Sequence, residues 1–223
     1  MVQSDMKKTP GRNVDGDEEH LAMATEPGVR LGAQERRVQL LATARAVFGE
    51  HGFNSTSMND VAEAAGVTKP VLYQHFASKH ELFHQLLIET STELSGRLQQ
   101  VVEGSPSPRE KVERGMNEFV MFFANNPHHF RVLYGEGVRS DPTFSEQLRE
   151  VDESFHEFTA AHIDIAELDR SRRLVAAQAI AGMAEHVVGQ WLHSSDRSLD
   201  AEELATMLSS LAWRGLRGNP PAR

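Results

Sequence analysis

The 223-residue chain contains no cysteine, which excludes disulfide bonds and thiolate metal sites. Tryptophan and tyrosine are scarce, with two of each, but hydrophobic residues make up 39% of the chain, enough for a core. No apolar run approaches the roughly 20 residues that cross a bilayer, and the N-terminus is polar rather than signal-like. These absences predict a soluble, cytoplasmic protein with no membrane partner.

Positive charge is also in short supply, since 23 Lys and Arg face 32 Asp and Glu. The deficit is uneven along the chain. Residues 1–27 carry three basic and six acidic groups, residues 28–80 six and four, and residues 81–223 fourteen and twenty-two. Only the middle segment is positive, and attraction to DNA depends on where charge lies. The cations that we expect to attract phosphate are Arg30, Arg36, Arg37, Lys69 and Lys79.

A helix, a tight turn and a second helix follow one another directly after Ser57. Ser57 can cap the first helix while Asp60 reaches back to the free amides. Gly66 ends that helix because glycine readily adopts the left-handed conformation. Thr68 caps the second helix, and Pro70 is tolerated in its first turn. This order is typical of a helix-turn-helix motif that binds DNA.

The second helix, predicted over 69–76, is the expected recognition helix. Leu72 and Phe76 suit the core, and the other side chains offer groups for phosphates, base edges and thymine methyls. Lys79 lies in the first turn of the next helix and could clamp a phosphate there. Thr56 could donate to a phosphate, although a local cap explains it equally well. The predicted DNA contacts are Arg36, Arg37, Thr56, Thr68, Lys69, Pro70, Val71, Tyr73, Gln74, His75 and Lys79.

The strings AEAAGV, TKPVLYQHF and SKHELF within residues 58–83 resemble the tetracycline-repressor (TetR) family of bacterial transcription regulators. The resemblance covers residues 34–86 with specific motifs, and the rest of the chain only as a general helical layout. A capped helix pair that merely packs into a core is the alternative. The family resemblance implies a three-helix DNA-binding domain, an effector-binding body and a homodimer.

Helical patterns continue throughout the chain and predict an all-α fold of about nine helices. Residues 1–28 lack an apolar period and are expected to form a disordered tail, although Lys7, Lys8 and Arg12 could reach a minor groove. Residues 29–80 form the expected DNA-binding domain, and residues 81–223 the effector-binding and dimerisation domain. The predicted helices are 33–50, 58–65, 69–76, 79–103, 109–124, 127–134, 142–163, 170–193 and 201–216.

Aromatic residues crowd the middle helices, and ordinary core packing explains much of this crowding. The resemblance implies that these helices surround a mainly apolar pocket for a small hydrophobic effector, with a fatty acyl compound as one candidate. His186 is a polar group that could bind the effector or a neighbouring carbonyl. The implied effector-binding residues are Met116, Phe119, Phe123, Phe130, Tyr134, Phe155, Phe158, Met183 and His186.

Metal binding by histidines is the competing chemistry in the body, but the spacing of these histidines predicts no metal site. His128 and His129 are adjacent and point to different sides of a helix, while His156 and His162 are six residues apart and face away from each other. No phosphate-binding loop or nucleophile pattern occurs either. We therefore expect no metal, no cofactor and no enzymatic activity.

The last two helices offer small residues for close approach and large apolar anchors. The resemblance implies that two such helices from each chain form a four-helix dimer bundle, whereas packing within one chain is the alternative. The predicted dimer interface comprises Ala177, Ala181, Ala184, Trp191, Leu204, Leu208 and Leu211.

The function predicted from the sequence is a dimeric, ligand-responsive transcriptional regulator. We expect a repressor that its effector releases from a near-palindromic operator in double-stranded DNA, because a two-fold dimer reads two half-sites. Two alternatives share the same DNA-binding motif, namely an activator and an effector-independent DNA organiser. A helical enzyme using Glu136 or Glu185 with His186 is a third alternative, and no motif supports it.

Overall fold

The computed structural model describes residues 32–165, 168–195 and 198–218. Within these ranges the chain forms ten α-helices and no β-strand, which confirms the all-α prediction. The predicted tail over 1–28 and Arg30 lie outside the described residues. The helices are α1 (Ala33–His51), α2 (Met58–Ala64), α3 (Lys69–His75), α4 (Lys79–Glu103), α5 (Pro108–Asn125), α6 (Pro127–Tyr134), α7 (Glu136–Arg139), α8 (Ser145–His162), α9 (Arg170–His193) and α10 (Ala201–Arg217).

Two differences from the helices predicted from the sequence exceed one residue at a helix end. The four-residue α7 was not predicted, and α8 begins at Ser145 rather than at Pro142. The cause of the later start is local: Asp141 Oδ1 accepts a hydrogen bond from the Thr143 amide at 2.9 Å. An Asx-type turn therefore stands where the proline suggested a first helical turn. None of the helices in the described residues is long and apolar enough to cross a bilayer.

Helix α2 begins and ends as its capping residues predict, whereas the predicted side-chain cap of Thr68 on α3 does not form. Ser57 Oγ accepts from the amides of Asn59 and Asp60, and Asp60 Oδ2 accepts from the Ser57 amide at 2.8 Å. Gly66 has a φ of +64°, the left-handed conformation that the turn requires. Leu72 is fully buried between α3 and the rest of the domain. Local sequence therefore determines the helix-turn-helix geometry.

Helix α4 joins the DNA-binding domain to the body. Its buried residues run from Leu82 near its start to Val102 near its end, so one apolar face continues through both regions. The helix packs against α1 in the DNA-binding domain and against α5, α6 and α8 in the body. A shift of the body can therefore reach α3 through one continuous helix.

The structure corrects most of the predicted dimer interface. Ala177, Ala184, Leu204 and Leu208 are at most 4% exposed, so their side chains are buried inside the protomer and cannot contact a second copy. Helix α10 instead packs this face against α5. The reason is that a helical apolar period marks a buried face without saying whether the same chain or another covers it.

The other three predicted interface residues are partly accessible. Ala181 is half-buried beside a cavity described below. Trp191 is half-buried, and its indole Nε1 donates to the Leu199 carbonyl at 2.9 Å, which ties α9 to the loop before α10. Leu211 remains 52% exposed. Of the seven residues, Leu211 is the one whose large apolar side chain mostly faces outward.

Helix α6 docks the body onto the C-terminus of α1. Arg131 Nη1 donates to the Gly49 carbonyl at 2.9 Å and to the Glu50 carbonyl at 2.6 Å, so a cation occupies the negative end of α1. His128 packs against Gly49 so closely that a side chain at this position would overlap the imidazole. The charge of Arg131 thus attracts α6 to α1, and the lack of a side chain at Gly49 lets the two helices pack closely.

His129 lies buried in the same junction with one side against Glu93. Its Nε2 is 3.7 Å from Glu93 Oε2, its ring lies edge-on to Phe122, and its Nδ1 has no hydrogen-bond partner. Burial lowers the pKa of His129 to about 4, and the positive charge of Arg45 adds to this effect, while Glu93 opposes it. The imidazole is therefore neutral near pH 7.

Acid should weaken this junction. Because the pKa of His129 lies below its unfolded value, the neutral side chain contributes stability above about pH 6.5 that is lost as the pH falls toward 4. Between pH 7 and pH 4.5 we expect wild type to lose about 2 kcal/mol more unfolding free energy than His129→Leu, measured by urea titration. His84→Leu, which alters an exposed histidine of α4, should lose as much as wild type. Equal losses in all three proteins would contradict this assignment.

Candidate DNA-binding surface and effector cavity

The exposed face of α3 carries most of the predicted DNA contacts. Thr68, Lys69, Pro70, Tyr73 and Gln74 are exposed, and Tyr73 is the most prominent apolar group at 49% exposure. The Thr68 hydroxyl makes no capping hydrogen bond, so it remains available to a ligand. Val71 and His75 are half-buried beside this face. The arrangement matches the side chains that the sequence assigned to phosphates and bases.

A concave surface lies beside the start of α3. It is lined by residues 54–59 together with Lys69, Tyr73 and Lys79. Two ammonium groups and the start of α2 therefore face one hollow. Cations favour a phosphate at such a place, whereas the first amides of α2 are already capped by Ser57.

Lys79 has a structural role that the sequence did not reveal. Its Nζ donates to the carbonyls of Phe53 and Thr56 at 2.9 and 3.0 Å and lies 4.3 Å from the centre of the Phe53 ring. The side chain therefore fastens the loop between α1 and α2 to the start of α4. An ammonium has three donors, so one donor is left for a phosphate.

Two other predicted contacts are also engaged within the chain. Thr56 is 3% exposed and its Oγ1 donates to the Gly52 carbonyl at 2.8 Å, so the structure favours the local cap over the predicted phosphate contact. Arg37 Nη1 donates to the His75 carbonyl at 3.0 Å, and its guanidinium lies over the Phe76 ring. Arg37 therefore holds the C-terminus of α3 in place. The Arg36 guanidinium, by contrast, bonds among the described residues to Gln39 alone, on its own helix.

A cavity of about 420 Å³ opens among α4, α5, α6, α8 and α9. This volume lies within the range of about 300–1,000 Å³ that is typical of small-molecule sites. Five of the nine implied effector-binding residues line it, and most of its remaining wall is apolar. These five are Met116, Phe119, Tyr134, Phe155 and Phe158.

The other four implied effector-binding residues do not line this cavity. Phe123 and Phe130 are buried behind it, where their rings pack edge-on at 5.2 Å and support Tyr134. Met183 is half-buried in the same core, and His186 is exposed on α9. Aromatic content alone does not distinguish a cavity wall from the layer behind it.

The sequence reasoning missed several polar residues of the cavity wall. They come from α5, α8 and α9, and their positions on the wall depend on how these helices pack. In the sequence, only a polar or charged residue among apolar neighbours could have marked them. These residues are Lys111, Asp152, His156, Thr159, His162, Gln178 and Glu185.

Arg139 holds together the polar groups at the end of the cavity beside α6. Its guanidinium donates two hydrogen bonds to Asp152 at 3.1 and 3.3 Å, lies 3.7 Å from Glu185, and sits over the Tyr134 ring. Burial raises the pKa of Glu185, and Asp152 raises it further while Arg139 opposes the shift. Burial also raises the pKa of Tyr134 above its usual range, so its hydroxyl stays neutral. That hydroxyl bonds to no other described residue, and Tyr134 lines the cavity.

Histidines do not assemble into a metal site in the part of the chain that the structure describes. No group of three His, Asp or Glu side chains there is arranged to hold a metal ion. His162 instead bonds to the Phe158 carbonyl through Nδ1 at 2.8 Å, and His193 bonds to the Gly189 carbonyl in the same way.

Two family models match most of the described chain. The model described as bacterial regulatory proteins of the tetR family matches residues 40–86, and the tetracyclin repressor-like C-terminal domain matches residues 108–215. The first match covers the DNA-binding motif, and the second covers most of the cavity wall and helices α5 to α9 with most of α10.

Similar proteins are named as transcriptional regulators. The chain is 28% identical to the HTH-type transcriptional activator FasR of Mycolicibacterium smegmatis over 224 residues, which is 99% of each protein. It is 35% identical to the HTH-type transcriptional repressor KstR2 of Mycobacterium tuberculosis over 115 residues, or 49% of this chain and 56% of that protein. Regulators of this kind are not enzymes, and neither match indicates a catalytic family.

Solved structures share the fold. A TetR-like regulator from Rhodococcus sp. RHA1 superposes with a TM-score of 0.72 at 29% identity, covering 85% of this chain and all of that one. FadR of Bacillus subtilis, solved in complex with stearoyl-CoA, has a TM-score of 0.68 at 18% identity and covers 78% and 96% of the two chains. With both family models matched and the fold shared, the chain belongs to the TetR family of DNA-binding transcriptional regulators.

Proposed function

We propose that this chain is a homodimeric repressor that a mainly hydrophobic, acyl-type effector releases from a near-palindromic operator. The observation that carries this proposal is the apolar cavity, whose wall includes two helices that also contact the DNA-binding domain. Leu98 of α4 and Tyr134 of α6 line the cavity, and both helices pack against α1. An effector there touches the elements that position α3.

The chemistry of the wall supports an acyl effector. Nine of its 21 lining residues are phenylalanine, methionine or branched aliphatic residues, and apolar burial is the main source of affinity in such sites. FadR, which shares the fold, was solved with an acyl-CoA bound. The two facts together favour an apolar chain with a polar head over a flat or fully polar effector.

Helix α6 offers a physical route from the cavity to the DNA. Tyr134 touches the effector space, and Arg131 on the same short helix holds the carbonyls of Gly49 and Glu50. An effector that binds better when α6 is displaced would shift α1 and the attached α3. Coupling free energies are typically about 1–3 kcal/mol, which corresponds to roughly 5- to 150-fold in DNA affinity.

The dimer surface that we propose uses the outward faces of α9 and α10. Val175 is 65% exposed, and Met207 and Leu211 are 51% and 52% exposed one helical turn apart on α10. Exposed large apolar side chains on adjacent helices mark association surfaces. A two-fold dimer would present two α3 helices to half-sites roughly 34–36 Å apart, or wider.

Activation is the second candidate for the direction of regulation. The similarity to an activator over 99% of both chains favours it, while the similarity to a repressor covers about half of this chain. Release from DNA by an effector is compatible with either direction, because the position of the operator relative to the promoter decides the outcome. We retain repression as the proposal.

Release of DNA by an acyl compound tests the proposed function. Operator sequences selected from a random duplex pool should be near-palindromic, because a two-fold dimer selects them. Adding fatty acids or acyl-CoAs of increasing length should then lower the affinity for the selected site at least 5-fold at saturation, measured by fluorescence anisotropy. Unchanged DNA affinity with an acyl compound bound would show that the chain is an effector-independent DNA-binding protein instead.

Lys69 and Lys79 should respond differently to substitution. Lys69→Ala removes an exposed cation, so we expect weaker binding to all DNA sequences, a salt slope smaller by about one, and unchanged stability. Lys79→Ala also removes two hydrogen bonds and should lower the unfolding free energy by about 1–3 kcal/mol. Salt-dependent anisotropy and urea titrations separate the two effects. A change of sequence preference in Lys69→Ala at full affinity would contradict its role.

A charge on the outer face of α10 should disrupt the dimer. Leu211→Glu places a carboxylate in the proposed interface, so sedimentation velocity at micromolar concentration should detect monomers, with weaker operator binding as a result. Ile88→Glu, at a 40% exposed apolar residue of α4, is the matched control and should remain dimeric. If both variants remain dimeric, the interface lies elsewhere.

A further inference from the structure

The two ends of the cavity carry opposite charge. At the end beside α6, Asp152 and Glu185 share the single cation of Arg139. Burial raises the pKa of Glu185, and the neighbouring Asp152 carboxylate adds to this shift while Arg139 opposes it. The guanidinium is already bonded to Asp152, so this end offers no unpaired cation to a ligand.

Lys111 stands at the opposite end of the cavity. It is half-buried on α5 next to Val112, which packs with Ile163 in the cluster at the far end of the body. Its ammonium has neither a hydrogen bond nor an ion pair with any described residue. The neighbouring arginines on α5 do form ion pairs: Arg109 pairs with Glu113 at 2.7 Å, and Arg114 pairs with Glu110 at 3.1 Å.

The wall between the two ends is largely apolar, with His156 and Thr159 as polar groups on α8. Met116 and Phe119 of α5 and Phe155 and Phe158 of α8 lie along it. The positions of Asp152 and His162 on α8 place the two polar ends about 15 Å apart along the helix axis. A dodecyl chain has a comparable extended length.

We infer that the cavity binds an apolar chain with a single anionic head in one orientation, with the head at Lys111 and the chain end toward Tyr134, and rejects a chain with a second anion at its far end. This inference rests on the proposed acyl effector and adds its polarity and direction. The anion is a carboxylate or the phosphates of a thioester carrier, which share the same attraction to an ammonium.

The physical basis is charge matching in a poorly hydrated space. An anion beside Lys111 gives a partner to the ammonium of a half-buried lysine that otherwise lacks one, and this stabilises the bound state more than the same contact would in water. A carboxylate at the other end would meet Asp152 and Glu185, and juxtaposed like charges weaken binding. Only one orientation of a singly charged chain avoids this repulsion.

The test measures direct binding to the full chain by isothermal titration calorimetry, without DNA. The ligands are dodecanoate, lauroyl-CoA, uncharged dodecanol and the diacid dodecanedioate. The variant is Lys111→Met, which keeps an apolar stem and removes only the charge. Arg109→Met is the matched control, because it removes a cation two residues away that does not line the cavity.

In wild type we expect dodecanedioate to bind at least tenfold more weakly than the better of dodecanoate and lauroyl-CoA. Lys111→Met should weaken the binding of this anion at least tenfold and leave the affinity for dodecanol within twofold of wild type. Arg109→Met should change neither affinity. A loss confined to dodecanoate identifies a carboxylate head, and a loss confined to lauroyl-CoA identifies the carrier phosphates.

Several results would overturn the inference. These are an equal loss for dodecanol and the anions in Lys111→Met, no loss for either anion, or tight binding of the diacid. If any of these occurs while acyl compounds still release DNA, the orientation is wrong and the proposed function stands. If none of the four ligands binds wild type, both the inference and the acyl effector are wrong.

Discussion

The contact between Arg131 and the end of α1 is the interaction on which the rest of the structure depends. The last carbonyls of a helix lack intrahelical hydrogen-bond partners. At Gly49 and Glu50 the guanidinium of Arg131, on a helix of the body, donates the missing hydrogen bonds. The close packing of His128 over Gly49 makes the fit specific, because no side chain could be added there without moving α6. The position of the DNA-binding domain thus follows the position of α6.

Aromatic packing makes the same junction stiff. The rings of Phe53, Phe83 and Phe144 meet with centroids 4.9 to 5.3 Å apart, and they come from the loop after α1, from α4 and from the turn before α8. One hydrophobic core therefore runs from the DNA-binding helices into the body. Close-packed cores shift between discrete arrangements rather than deform smoothly, which suits a switch with two states.

Sequence reasoning succeeded where structure depends on neighbouring residues and failed where it depends on distant ones. The cap of Ser57, the turn at Gly66 and the buried position of Leu72 all follow from a few adjacent residues. The partner of Leu208 does not follow from adjacent residues, because either α5 or a second chain could cover the apolar face on which it lies. Lys79 likewise faces carbonyls that its own sequence neighbourhood does not contain.

The polar end of the cavity shows why a charged group can remain inside an otherwise apolar body. Ion pairs that lose solvent add little net stability, and well-packed apolar residues often replace them without loss. Arg139 and Asp152 are each about one-third exposed, so their bond contributes modestly to folding. What they do supply is a fixed charge pattern beside Tyr134 that an apolar replacement would erase. A wall of phenylalanines accepts any chain of suitable length, whereas this pattern restricts which chain ends can lie against α6, the helix that holds the DNA-binding domain.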